Sequence, residues 1–146
     1  MKRTFFIIPV ILVLWACNPN GKKADQYEVT SPDGNLKISF YLNPDGEPGY
    51  VATYGSRVVI DSSRLGYILN GNISLDKNFE VKGSAATTVN TTWEQPWGEQ
   101  RLIRNNYNEL KVELAGKDNE DKKMNIVFRA FDDGIGFRYE FPEQEN

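Results

Sequence analysis

The side chains best suited to chemistry lie together in one stretch, Thr91 to Leu110, which has the sequence TTWEQPWGEQRLIRNNYNEL. It combines two indoles with carboxylate, amide and guanidinium groups. Flat indole rings match the apolar C–H faces of a pyranose, and polar groups around them match its hydroxyls. The stretch therefore predicts a sugar contact, although a core or interface role for the same residues stays open. The candidate side chains are Trp93, Trp97, Glu99, Arg104 and Asn105.

Two glutamates in this stretch raise the question of glycoside hydrolysis. A glycosidase uses two carboxyl groups, about 5–5.5 Å apart when it retains configuration and roughly 6.5–9.5 Å apart when it inverts. Glu94 and Glu99 are the obvious pair. Pro96 and Gly98 lie between them, so their separation does not follow from the sequence.

Other kinds of catalytic or metal site find little support. The chain has no histidine, which excludes Ser-His and Cys-His nucleophile systems and any zinc site that uses histidine. Asp132-Asp133-Gly134 lacks the alternating oxygen ligands of an EF-hand and has the composition of an ordinary turn. We therefore predict no metal site within this chain.

The amino-terminal residues have the pattern of an export signal. Lys2 and Arg3 precede an uncharged stretch from Thr4 to Ala16, which is shorter than the roughly 20 residues of a transmembrane helix. Cys17, the only cysteine, follows a lipobox-like Leu-Trp-Ala. We predict that residues 1–17 are a lipoprotein signal peptide with lipid-modified Cys17 and that residues 18–26 are a flexible tether. An ordinary signal peptide cut near Ala16 is the alternative.

The net charge of the chain indicates which classes of partner to expect. The whole chain has a net charge of −3, and removal of Lys2 and Arg3 makes it more acidic. No basic stripe is present, so a nucleic-acid partner is not expected. A lipid-modified Cys17 predicts an exported protein, held in the periplasm or at the outer membrane.

Alternating apolar residues predict an all-β domain over residues 27–146. Leu36 to Leu42 alternates strictly, and Gly55-Ser56 separates two strands as a type II′ hairpin turn would. Further strands are expected at Leu65–Leu69, at Phe79 and Val81, and around Leu110–Leu114. Two more strands, with Ile126/Phe128/Ala130 and Phe137/Tyr139/Phe141 on one face each, flank the loop Asp132–Gly136. Lys117–Lys123 is expected to be an exposed loop.

Three ordered elements of this sequence resemble the amino-terminal domain of glycoside hydrolase family 97. They are W-x-x-x-W-G-E at Trp93–Glu99, R-N-x-Y-N-E-L at Arg104–Leu110 and F-R-A-F-D-D-G-x-x-F-R-Y at Phe128–Tyr139. The segment Ser31–Leu42, SPDGNLKISFYL, also fits. Members of this family are secreted bacterial α-glucosidases and α-galactosidases.

The resemblance implies a larger protein than this chain. It implies a galactose-mutarotase-like β-super-sandwich packed against a catalytic (β/α)₈ barrel, with residues 27–146 as an incomplete first domain. The family's catalytic carboxylates and calcium-binding glutamates lie downstream of the positions present here. No catalytic residue and no cofactor is therefore assigned to this chain, and calcium is implied only for the full-length enzyme.

The resemblance leaves two roles open for the five candidate residues. They either line a sugar pocket completed by the barrel or form the surface on which the barrel docks, while Arg104 and Glu109 are alternatively a structural ion pair. Three functions follow: the leading part of a shortened α-glycosidase, a stand-alone carbohydrate-binding lipoprotein, or a purely structural β-domain. The first implies an α-linked oligosaccharide, the barrel and, through the lipid, the membrane as partners.

Overall fold

Ten β-strands make up the described part of the chain, which comprises residues 27–69 and 74–143 of the computed structural model. They are β1 Tyr27–Thr30, β2 Leu36–Leu42, β3 Pro48–Tyr54, β4 Arg57–Arg64, β5 Tyr67–Ile68, β6 Ser74–Leu75, β7 Phe79–Glu94, β8 Leu102–Gly116, β9 Lys123–Ala130 and β10 Ile135–Glu140. The all-β prediction is confirmed for these residues, which contain no helix that is long and apolar enough to cross a membrane. The predicted signal peptide and the tether lie outside them.

The strands form two four-stranded antiparallel sheets that face each other. The first has the order β1-β2-β3-β4, the second has the order β10-β9-β8-β7, and β5 and β6 form a separate two-stranded ribbon. Apolar residues from both sheets make one core between them. A sandwich of this kind buries one face of each sheet and leaves the other to polar side chains.

The sequence of β2 and of the β3–β4 turn explains two features of the first sheet. Ile38 and Phe40 of β2 point into the core, as the strict alternation predicted, and both are almost fully buried. Gly55 has a φ of 56°, which a glycine adopts without a steric penalty. That conformation lets β3 turn directly into β4, so the predicted hairpin is confirmed.

Aromatic rings join the two sheets at the centre of the core. Phe128 of β9 has no solvent exposure, and its ring centroid lies 6.0 Å from that of Phe40 and 5.8 Å from that of Tyr50. Tyr50 in turn lies 5.6 Å from Phe137 of β10. Burial of such rings supplies much of the hydrophobic stabilisation of a small domain. Phe128 therefore contacts residues of both sheets at the centre of the core.

Two predicted strands differ in length from those observed. A strand was expected from Leu65 to Leu69, but only Tyr67–Ile68 is extended, because the backbone turns at Gly66 with a φ of 136°. The Gly66 N–H donates to Tyr139 Oη at 3.0 Å instead of joining a sheet. In contrast, the short strand expected at Phe79 and Val81 is the 16-residue β7.

The Asp132-Asp133-Gly134 turn has a structural role. Asp132 Oδ1 accepts a hydrogen bond from the Asp33 N–H at 2.9 Å, which links this turn to the β1–β2 turn of the opposite sheet. Asp33 is itself held by Ser31 and Asn35, and the Ser31 hydroxyl is the main cause that lowers the pKa of its carboxyl group. The two turns thus close one end of the sandwich.

Candidate functional site

The β7–β8 hairpin extends well past the core, and we call its outer part, Thr88 to Asn108, the arm. Strand pairing is continuous through it, from Thr88 opposite Asn108 to Glu94 opposite Leu102. Nearer the core, Ala86 lies opposite Leu110, which is buried. The arm is therefore a regular two-stranded ribbon, and most of its side chains have no second sheet to cover them.

The base of the arm is attached to the first sheet. Asn108 Nδ2 donates to the Thr30 carbonyl oxygen at 2.8 Å, and Thr88 Oγ1 donates to Asn108 Oδ1 at 2.8 Å. Asn108 is thus held from both sides by strands of different sheets. These bonds fix the direction in which the arm leaves the sandwich.

Hydrogen bonds and one ion pair order the tip of the arm, residues 95–101. Arg101 Nε donates to Glu94 Oε1 at 2.6 Å, and the Gln95 N–H donates to the Arg101 carbonyl at 2.9 Å. Gln95 Nε2 also donates to the Gln100 carbonyl at 2.7 Å. The exposed ion pair contributes little to stability by itself, but the three bonds together define the loop's shape.

Gly98 is required by the geometry of the tip. Its φ of 130° is one that side-chain-bearing residues rarely adopt, and a Cβ there would lie 2.4 Å from Gln95 Nε2. Glycine therefore lets the chain turn tightly after Trp97. The indole of Trp97 remains 85% exposed as a result.

The five candidate residues are divided between the tip and two opposite faces of the arm. Trp97 and Glu99 lie in the tip, both exposed. Trp93 and Asn105 share one face, since Trp93 pairs with Ile103 and Thr91 pairs with Asn105 in the ribbon. Arg104 lies on the other face, where its Nε is 3.4 Å from Asn90 Oδ1. They therefore form a band around the end of the arm rather than one cluster.

Leu102 adds an apolar group that sequence analysis did not single out. It begins β8 at the tip and is 62% exposed, while Trp93 is 51% exposed. Its position three residues after the end of the W-x-x-x-W-G-E element was the available signal. Three large apolar side chains, Trp93, Trp97 and Leu102, are thus presented to solvent on one short ribbon. Exposed apolar groups rimmed by polar ones are typical of contact surfaces.

The suggested ion pair between Arg104 and Glu109 is wrong. The two residues are an odd number of positions apart in β8, so their side chains point to opposite faces of the strand. Glu109 Oε2 instead accepts from Arg129 at 2.7 Å and lies 3.4 Å from Arg138 Nη1. Arg129 also stacks over the Tyr107 ring at 4.5 Å. These contacts cover the outer face of the second sheet, behind the base of the arm.

The arrangement offers no evident centre for acid–base or metal chemistry. Glu94 is paired with Arg101, and Glu99 stands exposed in the tip. Among residues 27–69 and 74–143, no group of three or more acidic, cysteine or histidine side chains is placed to bind a metal ion. The arm can make apolar stacking contacts and hydrogen bonds, which are the chemistry of recognition.

The chain is similar to solved structures of glycoside hydrolases. One of them is a family 97 enzyme from Pseudoalteromonas sp. strain K8, solved with acarbose, which is 34% identical to this chain with a TM-score of 0.75. The match covers 80% of this chain and 18% of the chain of that enzyme. A variant of this enzyme with one substitution was solved with panose. A β-arabinopyranosidase structure is 25% identical with a TM-score of 0.72, over the same shares of the two chains.

Sequence comparison points the same way. A retaining α-galactosidase of Bacteroides thetaiotaomicron is 26% identical over 139 residues, which is 95% of this chain. The chain spans only about a fifth of the length of these relatives, 19% of the galactosidase and 18% of the solved enzymes. The family model described as Glycosyl-hydrolase 97 N-terminal matches residues 29–146. The chain therefore belongs to the amino-terminal domain family of the glycoside hydrolase 97 enzymes.

Proposed function

We propose that this chain is the non-catalytic β-sandwich part of an α-glycosidase of the α-glucosidase or α-galactosidase type. In this proposal its arm contacts a (β/α)₈ catalytic domain and borders the site where an α-linked oligosaccharide binds. The observation that carries the proposal is the arm itself, because Trp93, Trp97 and Leu102 are exposed on an ordered ribbon that the core does not need. A surface of this kind is stabilised when a partner covers it.

The chemistry of relatives suggests the substrate class. The Pseudoalteromonas enzyme was solved with acarbose and its variant with panose, and the Bacteroides relative is named a retaining α-galactosidase. We propose an α-linked oligosaccharide as a ligand of this chain only where the chain is part of a complete enzyme. Calcium is likewise proposed only for a complete enzyme, since the described residues contain no group of side chains placed to bind a metal ion.

The chain alone should hydrolyse no glycoside, because a positioned acid and a pre-arranged electrostatic site supply most of a glycosidase's acceleration. Glu94 and Glu99, on an exposed arm, provide neither. The measurement is release of p-nitrophenol from the α-glucoside and the α-galactoside, with and without calcium. Calcium-dependent turnover that is lost in Glu94→Gln or Glu99→Gln would contradict the proposal. Residues 29–146 grafted into the Pseudoalteromonas enzyme in place of its matching segment should, in contrast, support turnover.

A stand-alone carbohydrate-binding role is the second candidate. It is favoured by the 85% exposure of Trp97 on a tip already ordered by hydrogen bonds, which is how aromatic sugar platforms are often presented. Titration calorimetry of the chain with panose separates the candidates. Binding that Trp97→Ala abolishes favours the stand-alone role, whereas absence of binding together with an active graft favours the enzyme domain.

Attachment to a membrane is a further part of the proposal, and it rests on Cys17, which lies outside the described residues. Replacing Cys17 with serine should release the protein from the membrane fraction, since the several acyl chains of a bacterial lipoprotein anchor firmly. The measurement is partitioning of the protein between membrane and soluble fractions after cell lysis. Asn18→Ser, which keeps the cysteine, is the control. Unchanged membrane partitioning of Cys17→Ser would contradict the lipid anchor.

A further inference from the structure

The base of the arm is the point at which the second sheet narrows to two strands. β9 pairs with β8 as far as Ala130, which lies opposite Asn108. From there to the tip, the arm consists of β7 and β8 among the described residues. Two-stranded ribbons twist more strongly than wider sheets and are only marginally stable on their own. The angle of the arm therefore depends on the contacts at its base.

Two consecutive residues of β8 hold this base on its opposite faces. On the outer face, the buried Tyr107 ring lies 5.0 Å from the Phe131 ring, and the Arg129 guanidinium lies over it at 4.5 Å. On the core-facing side, Asn108 donates a hydrogen bond to the Thr30 carbonyl oxygen of the first sheet. Tyr107 thus fixes the arm to its own sheet, and Asn108 fixes it to the opposite one.

The amide of Asn108 is chemically suited to this link because it donates and accepts at once. Its Nδ2 donates to the Thr30 carbonyl at 2.8 Å, while its Oδ1 accepts from Thr88 Oγ1 at 2.8 Å. The two sheets separate here, and all three residues line a groove of about 260 Å³ between β1 and the base of the arm. An aspartate at this position would keep the acceptor, lose the donor and set a carboxylate against the Thr30 carbonyl oxygen.

We propose that Asn108 is a positioning residue that sets the angle of the arm and thereby places Trp97 against the sugar-binding side of a complete enzyme. This inference rests on the proposed function, in which the arm borders that site. The six residues from Thr88 to Glu94 extend about 20 Å, so a tilt of only about 3° at the base moves the end of the arm by about 1 Å. A misplacement of about 1 Å, caused far from the reacting atoms, can lower a rate about a hundredfold. Asn108 therefore acts through the arm, without contact with the substrate.

The angle of the arm can be measured as the distance between two spin labels by pulsed electron paramagnetic resonance. The chain from Asn18 onward keeps every described residue and has no cysteine, so Thr92→Cys in the arm and Val58→Cys in β4 supply two exposed labelling sites. We expect one narrow distance distribution for this parent and a shifted, broader one after Asn108→Asp. Asn106→Asp makes the same change two residues away on the same face and should leave the distribution unchanged.

Steady-state kinetics show whether this angle matters for function, with residues 29–146 grafted into the Pseudoalteromonas relative. Asn108→Asp should lower kcat/KM at least about tenfold, with the content of folded protein unchanged by circular dichroism. Thr88→Val removes only the hydroxyl donor and should cause a smaller fall, whereas Thr88→Ser keeps the hydroxyl and should keep the parent's value. Asn119→Asp adds the same charge in the exposed β8–β9 loop, at the other end of β8 from the arm, and should change nothing.

Each result separates this proposal from the proposed function. An unchanged distance distribution in Asn108→Asp would overturn the positioning role, whatever the kinetics show. Unchanged kinetics of Asn108→Asp, in a graft that Trp97→Ala impairs, would also overturn it and would leave the proposed function intact. If neither variant altered an active graft, the proposed function would fall together with this inference. If Asn108→Asp does not fold, the same outcomes decide the matter in Thr88→Val.

Discussion

Replacement of Phe128 by alanine should destabilise the folded chain by about 3–5 kcal/mol, the usual range for removing a fully buried phenylalanine ring. Phe128 has no solvent exposure and contacts rings of the opposite sheet, Phe40 and Tyr50. Its loss would leave a cavity between the two sheets. Since small domains are stable by only about 5–15 kcal/mol, this loss would remove a large share of the free energy of unfolding.

Urea unfolding followed by far-ultraviolet circular dichroism measures this loss. Phe141→Ala is a matched control, because it removes the same ring from a position that is 50% exposed. We expect the control to lose about 1 kcal/mol or less. An equal loss in both variants would show that Phe128 is not the centre of the core.

The predictable part of this fold is the part in which one face of a strand is buried and the other is not. Ile38 and Phe40 in β2 alternate with more polar neighbours, and both are core residues. For β2 the alternation predicted the strand and its buried face correctly, and Gly55-Ser56 predicted the β3–β4 hairpin correctly. Burial of one face is what imposes a period of two on a sequence.

The arm escaped sequence-based strand assignment for the same physical reason. Neither face of Thr88 to Trp93 is covered, so these residues show no apolar alternation, and no strand was predicted there. Its β-branched threonines and Val89 were the remaining signal, since such residues favour extended backbone. Strand pairing with Ile103 to Asn108 decides the conformation, and that pairing joins residues distant in sequence.

The candidate site shows that residue types alone do not predict which face of the arm a side chain occupies. The sequence placed Trp93, Arg104 and Asn105 together by proximity along the chain, but β-structure sends Arg104 to the face opposite the other two. Which face a residue occupies depends on the register of β7 and β8. Register is fixed by the whole hairpin, including the half buried over the core. A shared role for all five candidates therefore requires a partner that surrounds the end of the arm.

Trp97→Ala should lower kcat/KM at least about tenfold in an enzyme made complete by grafting residues 29–146 into the Pseudoalteromonas relative. Truncating an aromatic residue at the centre of a contact surface commonly costs more than 1 kcal/mol, and about 1.4 kcal/mol corresponds to tenfold. Because Trp97 is 85% exposed in the isolated fold, the same change should hardly alter the stability of the chain by itself. The loss is therefore expected only where a barrel or a sugar covers the indole.

Steady-state kinetics of the graft and urea unfolding of the chain give the two measurements. Tyr54→Ala is the control, because it removes an exposed aromatic ring at the β3–β4 hairpin of the other sheet. It should change neither the kinetics of the graft nor the stability of the chain. Unchanged kinetics for Trp97→Ala in an active graft would remove the arm tip from the function. A fall in activity that merely follows loss of folded protein would instead make Trp97 a structural residue. Because the tip is already ordered by Gln95 and the Glu94–Arg101 pair, we expect the kinetic effect without the unfolding.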